Sequence, residues 1–145
     1  MLEQAEAPYE LHEFEAEEFT AEEVAKKLNI PIEAVFKTLV VRGDKGGEAL
    51  AVVPGNKELN LKKLASVLGG KRADLVQLNE IQRLTGYLKG GVSPLGTKRQ
   101  MPVLIDQSCR LQSMISVSAG LRGLQIFIAP EQLIAVAKAQ VAALT

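Results

Sequence analysis

Gly86-Tyr87-Leu88-Lys89-Gly90-Gly91-Val92-Ser93-Pro94-Leu95-Gly96 sets four glycines and a proline between two segments that read as regular secondary structure. Glycine has no Cβ, so backbone N–H groups in such a stretch approach a ligand closely. Successive free N–H groups in a turn make a cradle for an anion or a carbonyl. A plain surface connection is the competing reading. Long connections are usually functional or disordered. Tyr87, Val92 and Leu95 give this one apolar side chains with which to pack, which argues against disorder.

Upstream of the loop, Asn79 reads as the cap of a helix over residues 80–84, after a short strand over 73–78. Asn60 caps a helix through Leu68, with Leu61, Leu64 and Leu68 on one face and Gly69-Gly70 as its stop. Residues 36–42 and 49–53 read as buried strands joined by the turn Asp44-Lys45-Gly46-Gly47. Thr20-Ala21-Glu22-Glu23 is a capping box opening a helix with Val24, Ala25 and Leu28 inward. Asn29 is its stop, and Pro31 suits the first turn of a second short helix. Residues 9–14 alternate weakly and read as a first strand. Downstream, strands are expected over 101–105, 114–118 and 124–128, with a turn or single helical turn over 106–110. Pro130 and Glu131 open a last helix whose apolar face carries Leu133, Ile134, Ala137 and Val141. The pattern predicts one α+β domain over residues 1–145, a mixed β-sheet of six or seven strands with helices around it.

The chain has 145 residues and is 47% hydrophobic, enough for one packed core. Seventeen basic and seventeen acidic residues cancel. A nucleic-acid binder working by bulk electrostatics is basic, so any nucleic-acid contact here is expected to be local. One cysteine, Cys109, excludes an internal disulfide, and with one histidine a metal site of soft ligands is not expected. No run is apolar for long enough to span a bilayer, and the acidic start Met1-Leu2-Glu3 lacks a signal-peptide pattern. A cytoplasmic protein without metal or cofactor is the expectation.

Lys37 is the sharpest single signal. On an extended strand it shares a face with Leu39 and Val41. A lysine among apolar neighbours is costly unless its ammonium meets an anion or water, although a strand-end lysine also reaches solvent along its stem. Thr38, Tyr87, Ser93 and Ser118 are further polar groups beside it or near glycine. A serine or cysteine nucleophile needs a base. His12 is far from Ser118 and Cys109 in sequence and sits among Glu10, Glu13 and Glu15 on what reads as a solvated strand face, and no G-x-S-x-G elbow is present.

Three stretches together carry a resemblance: Val35-Phe36-Lys37-Thr38-Leu39-Val40-Val41, the glycine-rich loop with Thr85, and Val117-Ser118-Ala119-Gly120-Leu121-Arg122-Gly123-Leu124. Their content, order and spacing resemble the YbaK family, free-standing relatives of the prolyl-tRNA synthetase editing domain. The resemblance implies an aminoacyl-tRNA deacylase acting on the acceptor end of mischarged tRNA, with cysteinyl-tRNA(Pro) as the expected substrate and prolyl-tRNA synthetase as the expected partner. It also implies roles at matching positions. Lys37 faces the substrate near the ester and the terminal adenosine, with Thr38 beside it. Gly90 and Gly91 offer backbone amides to the scissile carbonyl. Ser118 and Gly120 form a second wall, and Tyr87 and Ser93 join the substrate-binding set. In cysteine-specific members the substrate thiol attacks its own ester, which suits a chain without a triad.

Two positions depart from the family pattern. Phe14 stands where cysteine-specific relatives carry a tyrosine, and Gln125 where they can carry an aspartate. Losing a hydroxyl and a carboxylate alters what a hydrogen-bonding pocket accepts. Alanine, serine or another small amino acid therefore stays open as the substrate. So does a non-catalytic module that binds tRNA or a synthetase, and an esterase acting without tRNA.

Overall fold

The computed structural model describes residues 8–45 and 47–145, so Gly46 of the predicted turn and the N-terminal stretch 1–7 lie outside the described residues. Its centre is the hairpin of β2 (Phe36–Gly43) and β3 (Glu48–Pro54), antiparallel with Lys37 opposite Val53 and Thr38 opposite Val52. All of β3 after Glu48 is buried, which explains its unbroken apolar run: both of its faces are covered. Leu50 and Val52 pack into a core with Val76, Ile81, Ile105 and Ile115, while Ala49, Ala51 and Val53 meet Leu64 and Leu104 on the other face.

The eight strands among the described residues divide between two sheets, where the sequence suggests one of six or seven. The larger has the order β4-β2-β3-β5-β8 and the smaller β1-β7-β6. In the larger sheet β4 (Ala73–Leu75) is antiparallel to β2, whereas β5 (Val103–Asp106) and β8 (Gln140–Ala142) add parallel strands beyond β3. The smaller sheet is antiparallel, with β7 (Leu124–Ile128) between β1 (Tyr9–Glu13) and β6 (Ile115–Ser118). A single parallel bridge between Val35 and Ser116 joins the two sheets just before β2 begins. That junction puts the N-terminal end of β2 beside the C-terminal end of β6.

The capping signals place three of the four helices. Thr20 caps α1 (Ala21–Leu28) by accepting the Glu23 N–H at 3.2 Å, and Asn29 ends it in the left-handed region at φ 55°. Asn60 caps α2 (Leu61–Val67) through the N–H groups of Lys62 and Lys63. Pro130 opens α4 (Pro130–Ala137). The short helix after Pro31 is a 3₁₀ turn at Ile32–Ala34, and a second 3₁₀ turn at Gln107–Leu111 is capped by Asp106.

Several boundaries differ from expectation: the strand expected over 73–78 ends at Leu75, and the one expected over 101–105 begins at Val103. Asn79 caps nothing: α3 (Leu78–Thr85) begins two residues earlier than expected, after Gln77, because Val76 makes the last ladder bond, to the Val40 carbonyl at 2.9 Å. Val141 belongs to β8, since Lys138 closes α4 in the left-handed region and sends the chain back to pair with β5. No helix among the described residues is long and apolar enough to cross a membrane.

Candidate active site

A cavity of about 400 Å³ opens where the two sheets meet, and Phe14, Lys37, Thr38, Gly90, Ser118 and Gln125 all line it. Residues far apart in sequence converge there for traceable reasons. Phe14 follows β1 and donates its N–H to the Gly123 carbonyl at 2.9 Å, while β6 and β7 pair Ser118 with Gln125. Lys37 and Thr38 come from the strand that the Val35–Ser116 bridge holds against β6. Gly90 brings the glycine-rich loop to the rim. A Cβ at Gly90 would lie 2.6 Å from Phe19 Cβ, and one at Gly123 2.6 Å from the Phe14 carbonyl oxygen. Only glycine permits these approaches.

The four remaining candidates lie outside the cavity lining and hold the loop in shape. Tyr87 donates its hydroxyl to the Leu95 carbonyl at 2.6 Å, and its ring packs on Gly120, where a Cβ would come within 2.8 Å. Burial pushes the Tyr87 phenol up, so it stays a donor. Ser93 is buried and its Oγ accepts the Leu95 N–H at 3.2 Å. The Gly91 N–H bonds to the Leu88 carbonyl at 2.9 Å, whereas the Gly90 N–H has no acceptor among the described residues.

The polar groups on the cavity wall are short of partners. Lys37 is half-buried and makes no ion pair among the described residues. Thr38 Oγ1 is buried with no hydrogen-bond partner. Buried polar atoms are normally paired, so an orphan on a cavity wall marks where a ligand atom fits. Gln125, by contrast, is satisfied: buried, it accepts the Ser116 hydroxyl at 2.7 Å through Oε1. That bond occupies its acceptor and fixes the amide plane, leaving the wall neutral at this position.

Among the described residues no nucleophile–base pair stands in the cavity. Ser118 Oγ accepts the Gly120 N–H at 3.1 Å. His12 lies outside the lining, stacked on Phe127 at 3.9 Å and 3.5 Å from Glu10. Cys109 is fully buried and burial pushes its thiol up, so it is inert. Among the described residues no group of three or more His, Cys, Asp or Glu side chains could hold a metal.

Sequence reasoning missed the rim. Phe19 lines the cavity with a positive φ of 60°, and the Arg122 guanidinium lies 4.0 Å over its ring. The loop carrying Phe19 is held by Glu23, whose carboxylate accepts the N–H groups of Glu17, Glu18 and Phe19 at 2.8, 3.0 and 3.1 Å. A capping-box glutamate ordinarily reaches back to the cap residue's own N–H; this one reaches past it. Burial alone would raise the Glu23 carboxyl, but the three N–H donors and Lys27 outweigh it and bring it down to about 2.

The cavity is walled by a lysine, an orphan hydroxyl and a free glycine N–H, and among the described residues it holds no nucleophile–base pair and no metal-binding cluster. A model of the aminoacyl-tRNA editing domain matches residues 15–136. The chain therefore belongs to the aminoacyl-tRNA editing domain family, that of YbaK. It is 44% identical over 147 aligned positions, all of this chain and 90% of the relative, to an Enterococcus faecalis protein named "Putative Cys-tRNA(Pro)/Cys-tRNA(Cys) deacylase EbsC". A proline–tRNA ligase of Thermosipho africanus is 38% identical over 80 residues, 55% of this chain and 14% of that enzyme. A crystal structure described as "a putative trans-editing enzyme for prolyl tRNA synthetase" superposes with a TM-score of 0.87 at 29% identity, over 94% of this chain and 86% of that one.

Proposed function

We propose that the chain, over residues 1–145, is one trans-editing deacylase that removes the amino acid from mischarged tRNA, with cysteinyl-tRNA(Pro) and cysteinyl-tRNA(Cys) as its substrates. The observation that carries this reading is the set of unpartnered groups on one cavity wall: the Lys37 ammonium, Thr38 Oγ1 and the Gly90 N–H. An aminoacyl ester is already activated, so polarising its carbonyl and placing its ribose suffice. The Gly90 N–H, and the Gly91 N–H if it exchanges its turn bond for the substrate, hold the developing oxyanion. Lys37 supplies positive charge beside the ester or the flanking phosphate, and Thr38 its spare hydroxyl. Tyr87, Ser93 and Gly120 keep the loop in position.

Among the described residues no nucleophile–base pair lines the cavity, and in this reading the cysteine thiolate attacks its own ester carbonyl. The Sγ–C bond closes a four-membered thiolactone, the C–O bond to the ribose breaks, and the thiol proton ends on the ribose oxygen. Water then opens the ring to free cysteine. The likeness to proline–tRNA ligase editing regions supports prolyl-tRNA synthetase as the partner that supplies the tRNA, in the cytoplasm. Phe14 and the neutral Gln125 wall favour a second substrate reading, in which alanyl or seryl esters enter and water attacks directly.

The test is single-turnover deacylation of tRNA(Pro) charged with cysteine, 2-aminobutyrate, alanine or serine, with cysteinyl-tRNA(Cys) alongside. 2-Aminobutyrate fills the cysteine volume without a thiol. Loss of the cysteinyl esters with 2-aminobutyryl-tRNA spared supports the thiol route. Equal loss of both refutes it in favour of water. No turnover of any ester leaves a binding module and overturns the deacylase reading.

A further inference from the structure

The rim of the cavity joins three loops through one aromatic–guanidinium pair. Phe19 comes from the segment before α1, Arg122 from the β6–β7 connection, and Arg122 Nε donates to the carbonyl of Lys89 in the glycine-rich loop at 2.8 Å. The guanidinium carbon sits 4.0 Å from the Phe19 ring centroid. Its remaining N–H groups have no acceptor among the described residues, and Arg122 is exposed. Arg42, Arg83, Arg99 and Arg110, by contrast, all pair with carboxylates.

Phe19 is costly where it stands. A residue with a Cβ is disfavoured at φ 60°, and such strain persists only when the surroundings over-determine it. Here the Glu23 carboxylate does so through three consecutive N–H groups. The strain does not improve burial: Phe19 remains 42% exposed while lining the cavity. A pinned, strained and exposed aromatic beside a guanidinium with free donors fits a ligand that has a planar ring next to an anion. Lys37 and Lys89 line the same cavity against one carboxylate, Glu22, while Glu13 and Glu15 line the neighbouring hollow beside Arg122.

We propose that Phe19 and Arg122 seat the unpaired 3′ end of the acceptor strand, the terminal base stacking on Phe19 and the phosphate on its 5′ side meeting the free N–H groups of Arg122. This rests on the deacylase reading and adds to it two positioning residues outside the groups assigned to the ester. A base offers a π-face to an aromatic ring, and a guanidinium matches phosphate oxygens in a fork geometry. Because Arg122 also ties the Lys89 carbonyl, seating the phosphate steadies the loop that presents Gly90.

The probes are two non-hydrolysable trinucleotides ending in a 3′-amide-linked cysteine, one with an intact terminal adenine and one abasic at that nucleotide. The wild-type protein is expected to bind the intact probe about tenfold or more tightly than the abasic one, as one stacked base implies. Phe19→Leu keeps an apolar side chain and is expected to erase that difference, while Phe19→Tyr restores it. Arg122→Gln is expected to weaken both probes and lower the salt dependence of binding by about one unit of slope. With cysteinyl-tRNA(Pro), Phe19→Leu should raise KM about tenfold and leave kcat within about twofold, whereas Arg122→Gln, which also frees the Lys89 carbonyl, should raise KM about tenfold and lower kcat. Folded Phe19→Leu and Arg122→Gln proteins with wild-type affinities and KM overturn the proposal while turnover upholds the deacylase reading. Absence of any probe binding by the wild-type protein overturns it as well, and turnover measured separately then shows whether the deacylase reading falls with it.

Discussion

Replacing Gly90 with alanine tests whether the glycine-rich loop holds the carbonyl. Gly90 has a φ of +84°, and an added Cβ would stand 2.6 Å from Phe19 Cβ, 3.3 Å from the Phe19 carbonyl oxygen and 3.4 Å from Phe19 Cγ. The left-handed backbone alone costs a residue with a Cβ about 1–2 kcal/mol. Relieving the clash requires the loop to retreat by roughly 1 Å, because Phe19 is held through its backbone and has no freedom to swing away. A total of about 2–3 kcal/mol lowers Tm by roughly 5–10 °C in a domain of this size. A displacement near 1 Å at a positioning group costs about a hundredfold in rate, and losing one oxyanion donor costs about a hundred- to a thousandfold. Gly90→Ala should therefore fold and lose kcat about a hundredfold in single-turnover deacylation. Gly47→Ala is the control, because nothing lies within 4 Å of its added Cβ; it should match the wild type in both Tm and kcat. A folded Gly90→Ala protein with wild-type kcat would refute the role given to the loop.

Three further outcomes are expected. Lys37→Ala should lose about a hundredfold or more in kcat/KM and shift Tm little, since Lys37 makes no ion pair among the described residues; full activity in the folded variant removes the lysine from the mechanism. Thr38→Val should raise stability by about 1 kcal/mol, because an unpaired buried hydroxyl costs about 1–3 kcal/mol, yet should lower deacylation; a variant that is less stable and fully active would mean the hydroxyl serves the fold. Glu23 has a folded pKa of about 2, below its ordinary 4.5, so its stabilisation is complete above pH 4.5 and is lost as pH falls toward 2. Protection of the Glu17, Glu18 and Phe19 amides against exchange, taken relative to the intrinsic rate at each pH, should fall across that window, and Glu23→Gln should show the lower protection already at neutral pH; an unchanged profile in that variant contradicts the anchoring role.

Local chemistry made most of the fold legible. Thr20, Asn29, Asn60 and Pro130 mark helix ends because each answers a backbone demand that its own side chain or ring meets. Asn79 misled because the same residue type also sits inside a first turn without capping it. The division into two sheets was not legible, because it depends on one bridge between Val35 and Ser116, a contact between segments distant in sequence. Val141 fell outside α4 for the same reason: its place is set by pairing with Ile105.

The site divides along the same line. Motifs named Lys37, Thr38, Gly90 and Ser118, and the cavity brings them together. What no motif carried is which of these groups lacks a partner. Residue type says that a threonine has a hydroxyl, but only packing says that Thr38 keeps its hydroxyl dry and unpaired while Ser93 and Ser118 use theirs on backbone N–H groups. The same holds for the two loop glycines, of which Gly91 closes a turn with its N–H and Gly90 does not. Phe19 shows the limit most clearly. Before a capping box, an aromatic residue reads as a staple packed against the helix. Here a carboxylate three residues into that helix reaches back past the cap and holds the ring, half-exposed, under Arg122 at the cavity rim. Capping chemistry that ordinarily only starts a helix thus also fixes the mouth of the site, and this ties acid sensitivity at Glu23 to substrate seating at Phe19.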